Sequence, residues 1–152
     1  MSLNIKKSSV NAVCGENVTV VEPSNLYGCV LGDNVFVGPF VEIQKGVTIG
    51  ERTRIQSHTF ICELVKIGSD CFIGHGVVFI NDKLHGGPAQ GDMNKWEATV
   101  ISNKVYIGSN ATILPVNICS EVTIGAGSVV TKDIDEPGIY VGNPARKMKS
   151  ID

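Results

Sequence analysis

Nine consecutive hexads run unbroken from Leu31 to Leu84, and they restrict the folds open to this chain. Their first residues are Leu31, Val37, Ile43, Ile49, Ile55, Ile61, Ile67, Ile73 and Phe79. Gly follows five of them, at Gly32, Gly38, Gly50, Gly68 and Gly74. The fifth slot is mostly small or β-branched: Val35, Val41, Val47, Thr53, Thr59, Val65, Cys71, Val77 and Lys83. In a chain that is 43% apolar, nine apolar first slots in succession arise by chance about 5 times in 10,000 per frame. The repeat is therefore structural.

Six residues make three strand periods but no whole number of helical turns, so the pattern selects extended chain. Each hexad supplies one short strand and one corner. Three hexads close a triangular coil, and successive coils stack about 4.8 Å apart as parallel strands. First-slot and fifth-slot side chains point inward, and Gly after the aliphatic lets the backbone turn without a Cβ clash. The expectation is an all-β chain, a left-handed parallel β-helix of hexapeptide repeats, rather than a sandwich of short strands. Residues 1–152 form one domain of this kind.

The period is looser at the start, where Cys14, Val20 and Leu26 keep the step and a one-residue slip leads to Leu31. It is lost after Phe79, returns at Ile101, Ile107 and Ile113, slips at Pro115 to Ile118, and continues to Ile124 and Val130. The interval from Phe79 to Ile101 is no multiple of six. Part of residues 81–99 must leave the prism as a loop, and His85-Gly86-Gly87-Pro88-Ala89-Gln90-Gly91-Asp92 is too rich in breakers for a core strand. Loops this long in a compact domain usually carry function.

A net charge of −2 leaves no broad footprint for nucleic acid. No apolar run is long enough for a membrane span. The start, Met1-Ser2-Leu3-Asn4-Ile5-Lys6, has no signal-peptide core, and a cytoplasmic protein is expected. The five cysteines are scattered without CxxC or Cys/His spacing, which predicts a reduced chain with no metal. Cys14 and Cys71 occupy inward slots, where a thiol serves as a small hydrophobe. Val37, Phe40, Val78 and Ile80 are read as exposed apolar surface, which predicts a homotrimer that covers it.

The coil turns sequence spacing into neighbours. Lys45, Glu63 and Asn81 stack on one outer edge, with Gly46, Leu64 and Asp82 beside them. Pro39, Ser57 and His75 stack on the preceding edge, next to Phe40, His58 and Gly76. Glu63, Asn81 and Asp82 thus form a polar cluster where the loop departs. His58 and His75 lie near it across a corner or a subunit boundary. Outward polar residues are often merely solvated; a cluster beside a long loop points to a site. Histidine there is a candidate general base. Glu63 would orient it or bind an amine or hydroxyl, and Asn81 offers both donor and acceptor. Trp96 is a packing anchor or a ligand platform.

The hexads, the excursion after Asn81, and the stretches Val105-Tyr106-Ile107-Gly108-Ser109-Asn110-Ala111-Thr112-Ile113-Leu114-Pro115, Ile124-Gly125-Ala126-Gly127-Ser128-Val129-Val130-Thr131-Lys132-Asp133 and Val141-Gly142-Asn143-Pro144-Ala145-Arg146 resemble the hexapeptide-repeat acyltransferases. The resemblance implies a trimer with acetyl-CoA between neighbouring subunits. It implies that Ser109 and Ala126 meet the pantetheine arm, with Thr131, Lys132 and Arg146 near the adenine and phosphates. Lys and Arg suit the 3′-phosphate on chemical grounds as well.

In the O-acetyltransferases of that family a histidine base follows the Ser of the Ile-Gly-Ser motif. Here Asn110 stands in that place and cannot take a proton. Activating a hydroxyl without a base forfeits about 10²–10⁴ in rate. An amine brings its own lone pair. Asn110 therefore argues for an amine acceptor, or for a base moved to His58 or His75.

Ile55-Gln56-Ser57-His58-Thr59-Phe60-Ile61-Cys62-Glu63 and Phe72-Ile73-Gly74-His75-Gly76-Val77-Val78-Phe79-Ile80-Asn81-Asp82 resemble nucleotide-sugar N-acetyltransferases. These acetylate 3-amino-3,6-dideoxyhexoses on dTDP, or 3-amino uronic acids on UDP, for surface polysaccharides, and residues matching Glu63 and Asn81 lie near the sugar amine. The reading is an acetyl-CoA-dependent N-acetyltransferase on a nucleotide-linked amino sugar, with His58 and His75 as catalytic candidates and Glu63, Asn81 and Asp82 as substrate-binding ones. An O-acetyltransferase, a zinc enzyme like the gamma-type carbonic anhydrases and a non-catalytic scaffold are the alternatives.

Overall fold

The computed structural model describes residues 11–85 and 92–148. Short strands of two to four residues stack into three parallel sheets, the faces of a triangular prism. The first face runs through Val13–Cys14, Val30–Leu31, Thr48–Ile49, Val65–Ile67, Thr99–Ile101 and Asn117–Ile118. The second runs through Thr19–Val20, Phe36–Val37, Arg54–Ile55, Phe72–Ile73, Tyr106–Ile107 and Val122–Ile124 to Gly138–Val141. The third runs through Asn25–Leu26, Glu42–Ile43, Phe60–Ile61, Val78–Phe79, Thr112–Ile113 and Val129–Val130. This is the stacked-coil solenoid of about seven turns expected of a left-handed β-helix. Arg146–Lys147 pairs antiparallel with the last strand of the second face and ends the stack.

The core is the prism axis. First-slot Ile43, Ile55, Ile61, Ile73 and Phe79 are fully buried, as are fifth-slot Val47, Thr53 and Val77. Buried threonines are hydrogen-bonded: Thr53 Oγ1 donates to the Gly68 carbonyl at 2.8 Å, and Thr59 Oγ1 to that of Gly74 at 2.9 Å. A hydroxyl left unpaired there would cost about 1–3 kcal/mol. Burial pushes the Cys62 thiol up to about 11, so it stays protonated at neutral pH.

The corners follow a rule the sequence reading did not state. The fourth slot of the first eight hexads, Asn34, Phe40, Gly46, Arg52, His58, Leu64, Asp70 and Gly76, has positive φ. Non-glycine residues bear a cost of about 1–2 kcal/mol in this region. The corner amides recover part of it by bonding to the preceding coil, as Arg52 N does to the Asp33 carbonyl at 2.8 Å. The glycines after the first-slot aliphatics serve another purpose, close approach between coils. A Cβ on Gly50 would sit 2.5 Å from the Gly68 carbonyl carbon.

Four expectations need correction. Val37 is fully buried, because its first slot points inward and the period outranks any reading of it as surface. Phe40 and Val78 are exposed as expected, and Ile80 is half-buried. Cys14 is exposed, since no described coil lies beneath the first one. Lys83 is also exposed, because the chain has left the prism by that residue. The excursion is where it was expected: Ile73 pairs with Ile107, 34 residues on, whereas Ile55 pairs with Ile73, 18 on. Residues 86–91 of the breaker-rich stretch lie outside the described residues.

Candidate active site

The corner between the second and third faces gathers two sets of candidate residues. Each fourth-slot amide there donates to the third-slot carbonyl one coil earlier. His58 N bonds to the Pro39 carbonyl at 3.2 Å, Gly76 N to Ser57 at 3.0 Å, Asn110 N to His75 at 2.8 Å, and Gly127 N to Ser109 at 2.8 Å. Pro39, Ser57, His75, Ser109 and Ala126 therefore form one column, with Phe40, His58, Gly76, Asn110 and Gly127 beside it. Both histidines and the expected pantetheine contacts share this edge. His58 and His75 are exposed, and the His58 ring leans on Phe40 with centroids 4.9 Å apart.

Glu63 and Asn81 stack as expected, but on the next corner, between the third and first faces. Asn81 Nδ2 donates to the Glu63 carbonyl at 3.2 Å. Glu63 N donates to Gln44 Oε1 at 3.2 Å, and Gln44 Nε2 donates to Glu42 Oε1 at 2.9 Å. Tyr27 belongs to this group: burial, then the charges of Glu42 and Glu63, hold its hydroxyl above the usual range. The third face, with Phe60 and Val78 on its outer side, separates this cluster from the histidines within one chain.

Asp82 sits where the chain leaves the prism. Its Oδ1 accepts from Leu84 N at 2.7 Å, which turns the backbone outward. The neck of the excursion is fastened by Glu97 N on the Asn81 carbonyl at 2.8 Å and by Lys83 Nζ on Glu97 Oε2 at 2.8 Å. Sequence reasoning missed this pair, since a contact across a loop has no periodic signal. Asp82 also lines a depression of about 360 Å³ with Ile80, Leu84, His85 and Leu114. Trp96 is half-buried at the base of the excursion, next to the short turn Met93–Lys95.

At the C-terminal end Lys132 and Arg146 meet, although they are distant in sequence. With Tyr140, Ala145 and Lys147 they line a depression of about 260 Å³. Lys147 is paired with Glu136 at 2.9 Å, which holds that carboxyl below its usual range and raises the lysine. Among the described residues neither Lys132 nor Arg146 forms an ion pair. Thr131 follows the strand Val129–Val130 at the rim. Among the described residues no cluster of three or more His, Cys, Asp or Glu could hold a metal ion. Nor, among the described residues, is any helix long and apolar enough to cross a membrane.

Repeat, coil and likeness point to one class, the hexapeptide-repeat acyltransferases. The family model for the bacterial transferase hexapeptide (six repeats) matches residues 28–63, and that for the hexapeptide repeat of succinyl-transferase matches residues 99–132. The solved structures that the chain resembles include N-acyltransferases crystallised with coenzyme A. It is similar to a variant of AntD, an N-acyltransferase from Bacillus cereus in complex with dTDP and coenzyme A. The TM-score is 0.80 at 27% identity, over 92% of this chain and 83% of that one. A perosamine N-acetyltransferase variant from Caulobacter crescentus shares the fold, with a TM-score of 0.74 at 20% identity over 88% of this chain and 57% of that one. The bifunctional protein GlmU of Streptococcus uberis is 37% identical over 80% of this chain, which spans 24% of its length.

Proposed function

We propose that the chain transfers an acetyl group from acetyl-CoA to the amine of a nucleotide-linked amino sugar, of the dTDP-3-amino-3,6-dideoxyhexose class, in surface polysaccharide synthesis. The observation that carries this reading is the single corner whose two adjacent columns hold His75, Ser109 and Ala126, and His58 and Asn110. The likeness to AntD, crystallised with dTDP and coenzyme A, supports the choice of substrates. On this reading the CoA arm follows Ser109 and Ala126, while Lys132 and Arg146 take its phosphates.

The amine nitrogen attacks the thioester carbonyl carbon. The C–N bond forms, the C–S bond breaks, and the thiolate leaves. The proton released by nitrogen goes to His58 or His75, or directly to the thiolate. Glu63 and Asn81 stand one corner away, so a sugar reaches them along the third face or from a neighbouring copy. We therefore propose a homotrimer with sites between subunits, in which the exposed apolar side chains Phe40, Phe72, Val78 and Tyr106 are covered.

Thiol release from acetyl-CoA, measured against amino nucleotide sugars and plain galactosides, tests the function. Release is expected with the amines alone. A His58→Ala, His75→Ala double variant tests the base: about a 10²-fold or greater loss in kcat assigns the proton to a histidine. A near-normal kcat sends it to the thiolate.

A further inference from the structure

We infer that Asn110 binds the acceptor amine, with its carboxamide seated in a notch that Gly76 leaves open; the inference rests on the function proposed above. The corner column reads Phe40, His58, Gly76, Asn110 and Gly127, all with positive φ. Three of the five carry side chains in that conformation, so backbone freedom alone does not require glycine at 76. The space does. A Cβ on Gly76 would lie 2.6 Å from Asn110 Oδ1, inside any permitted contact. The Asn110 carboxamide therefore reaches down one coil into the gap, toward His58.

His58 and Asn110 are both exposed, and they flank this gap from either side. Two coil spacings of about 4.8 Å separate their backbones, which leaves room for a small polar group between the side chains. Asn110 Oδ1 is a hydrogen-bond acceptor that cannot take a proton at working pH. Such a group orients a nucleophile without deprotonating it. A primary amine fits this requirement: one N–H donates to Oδ1 while the lone pair stays free for the carbonyl carbon. A hydroxyl bonded there would gain no base from Asn110 and would depend on His58 or His75 for one.

The test is steady-state kinetics of Asn110→Ala, Asn110→Asp and Gly76→Ala on the amino nucleotide sugar that wild type accepts. Asn110→Ala is expected to lower kcat/KM for the amine about tenfold or more, the scale of one lost hydrogen bond to a polar substrate, with KM for acetyl-CoA unchanged. Asn110→Asp is expected to keep amine binding and move the rate profile to higher pH. The carboxylate favours the ammonium form, so a higher pH is needed to reach the same neutral fraction. Gly76→Ala, which displaces the carboxamide, is expected to resemble Asn110→Ala.

A merely structural Asn110 would leave the pH profile unmoved in the Asp variant. Wild-type kinetics on the amine retained in Asn110→Ala would overturn the inference and leave the proposed function standing. Absence of turnover with every amine by wild type overturns both.

Discussion

Phe79→Ala is expected to lower the stability of this protein by about 3–5 kcal/mol, seen as a fall in the denaturant midpoint. Phe79 is fully buried and is among the largest side chains on the prism axis. It sits above Ile61 and below Ile113, its registered partner one coil on. Removing the ring loses its transfer free energy and leaves a cavity that coils on either side, fixed by their ladders, close only in part. A solenoid has contacts only between neighbouring coils, so a defect at mid-stack weakens the coupling of its two halves. Phe72→Ala is the control. Phe72 lies one strand earlier, on the outer side of the second face, and is 37% exposed, so its loss in the monomer is expected to be about 1 kcal/mol or less. Equal effects of the two changes on the dissociated monomer would contradict the assignment of the axis.

The second large effect is on the co-substrate. A Lys132→Ala, Arg146→Ala double variant is expected to raise KM for acetyl-CoA by about tenfold or more. Both side chains line the C-terminal depression, and two cations at its rim suit a phosphate dianion. Dephospho-CoA derivatives separate charge recognition from general damage. If the pair binds the 3′-phosphate, wild type handles the dephospho compound as poorly as the variant does, and the variant no longer distinguishes the two. An unchanged KM in the variant would place the nucleotide end of CoA elsewhere.

The prism was legible because a six-residue period maps directly onto burial. Ile43 through Phe79 fill the axis, and even the one-residue slip before Leu31 appears as register, with Leu26 paired to Ile43, 17 residues on. The stacking of Lys45, Glu63 and Asn81 was legible for the same reason. What the period does not encode is which stacks meet. His58 and Glu63 are five residues apart, yet a strand carries them to opposite ends of one face, about 16 Å along an extended chain. The sequence reading made them near neighbours, and within one chain the structure sets them at separate corners.

The resemblance, not the period, brought Lys132 and Arg146 together. They meet because the last strand turns back antiparallel, a reversal with no hexad signal. The notch at Gly76 was invisible. Its reason is a side chain one coil away and 34 residues further along the sequence, Asn110.

The bond formed in the reaction tests the central claim most directly. The protein is incubated with acetyl-CoA and a dTDP-3-amino-3,6-dideoxyhexose, and the acetylated product is treated with hydroxylamine. An amide survives that treatment and an ester is cleaved. The account predicts a product with one acetyl group that resists hydroxylamine. A hydroxylamine-labile product, or acetylation of plain galactosides with the amine left free, would contradict it and return the chain to hydroxyl chemistry.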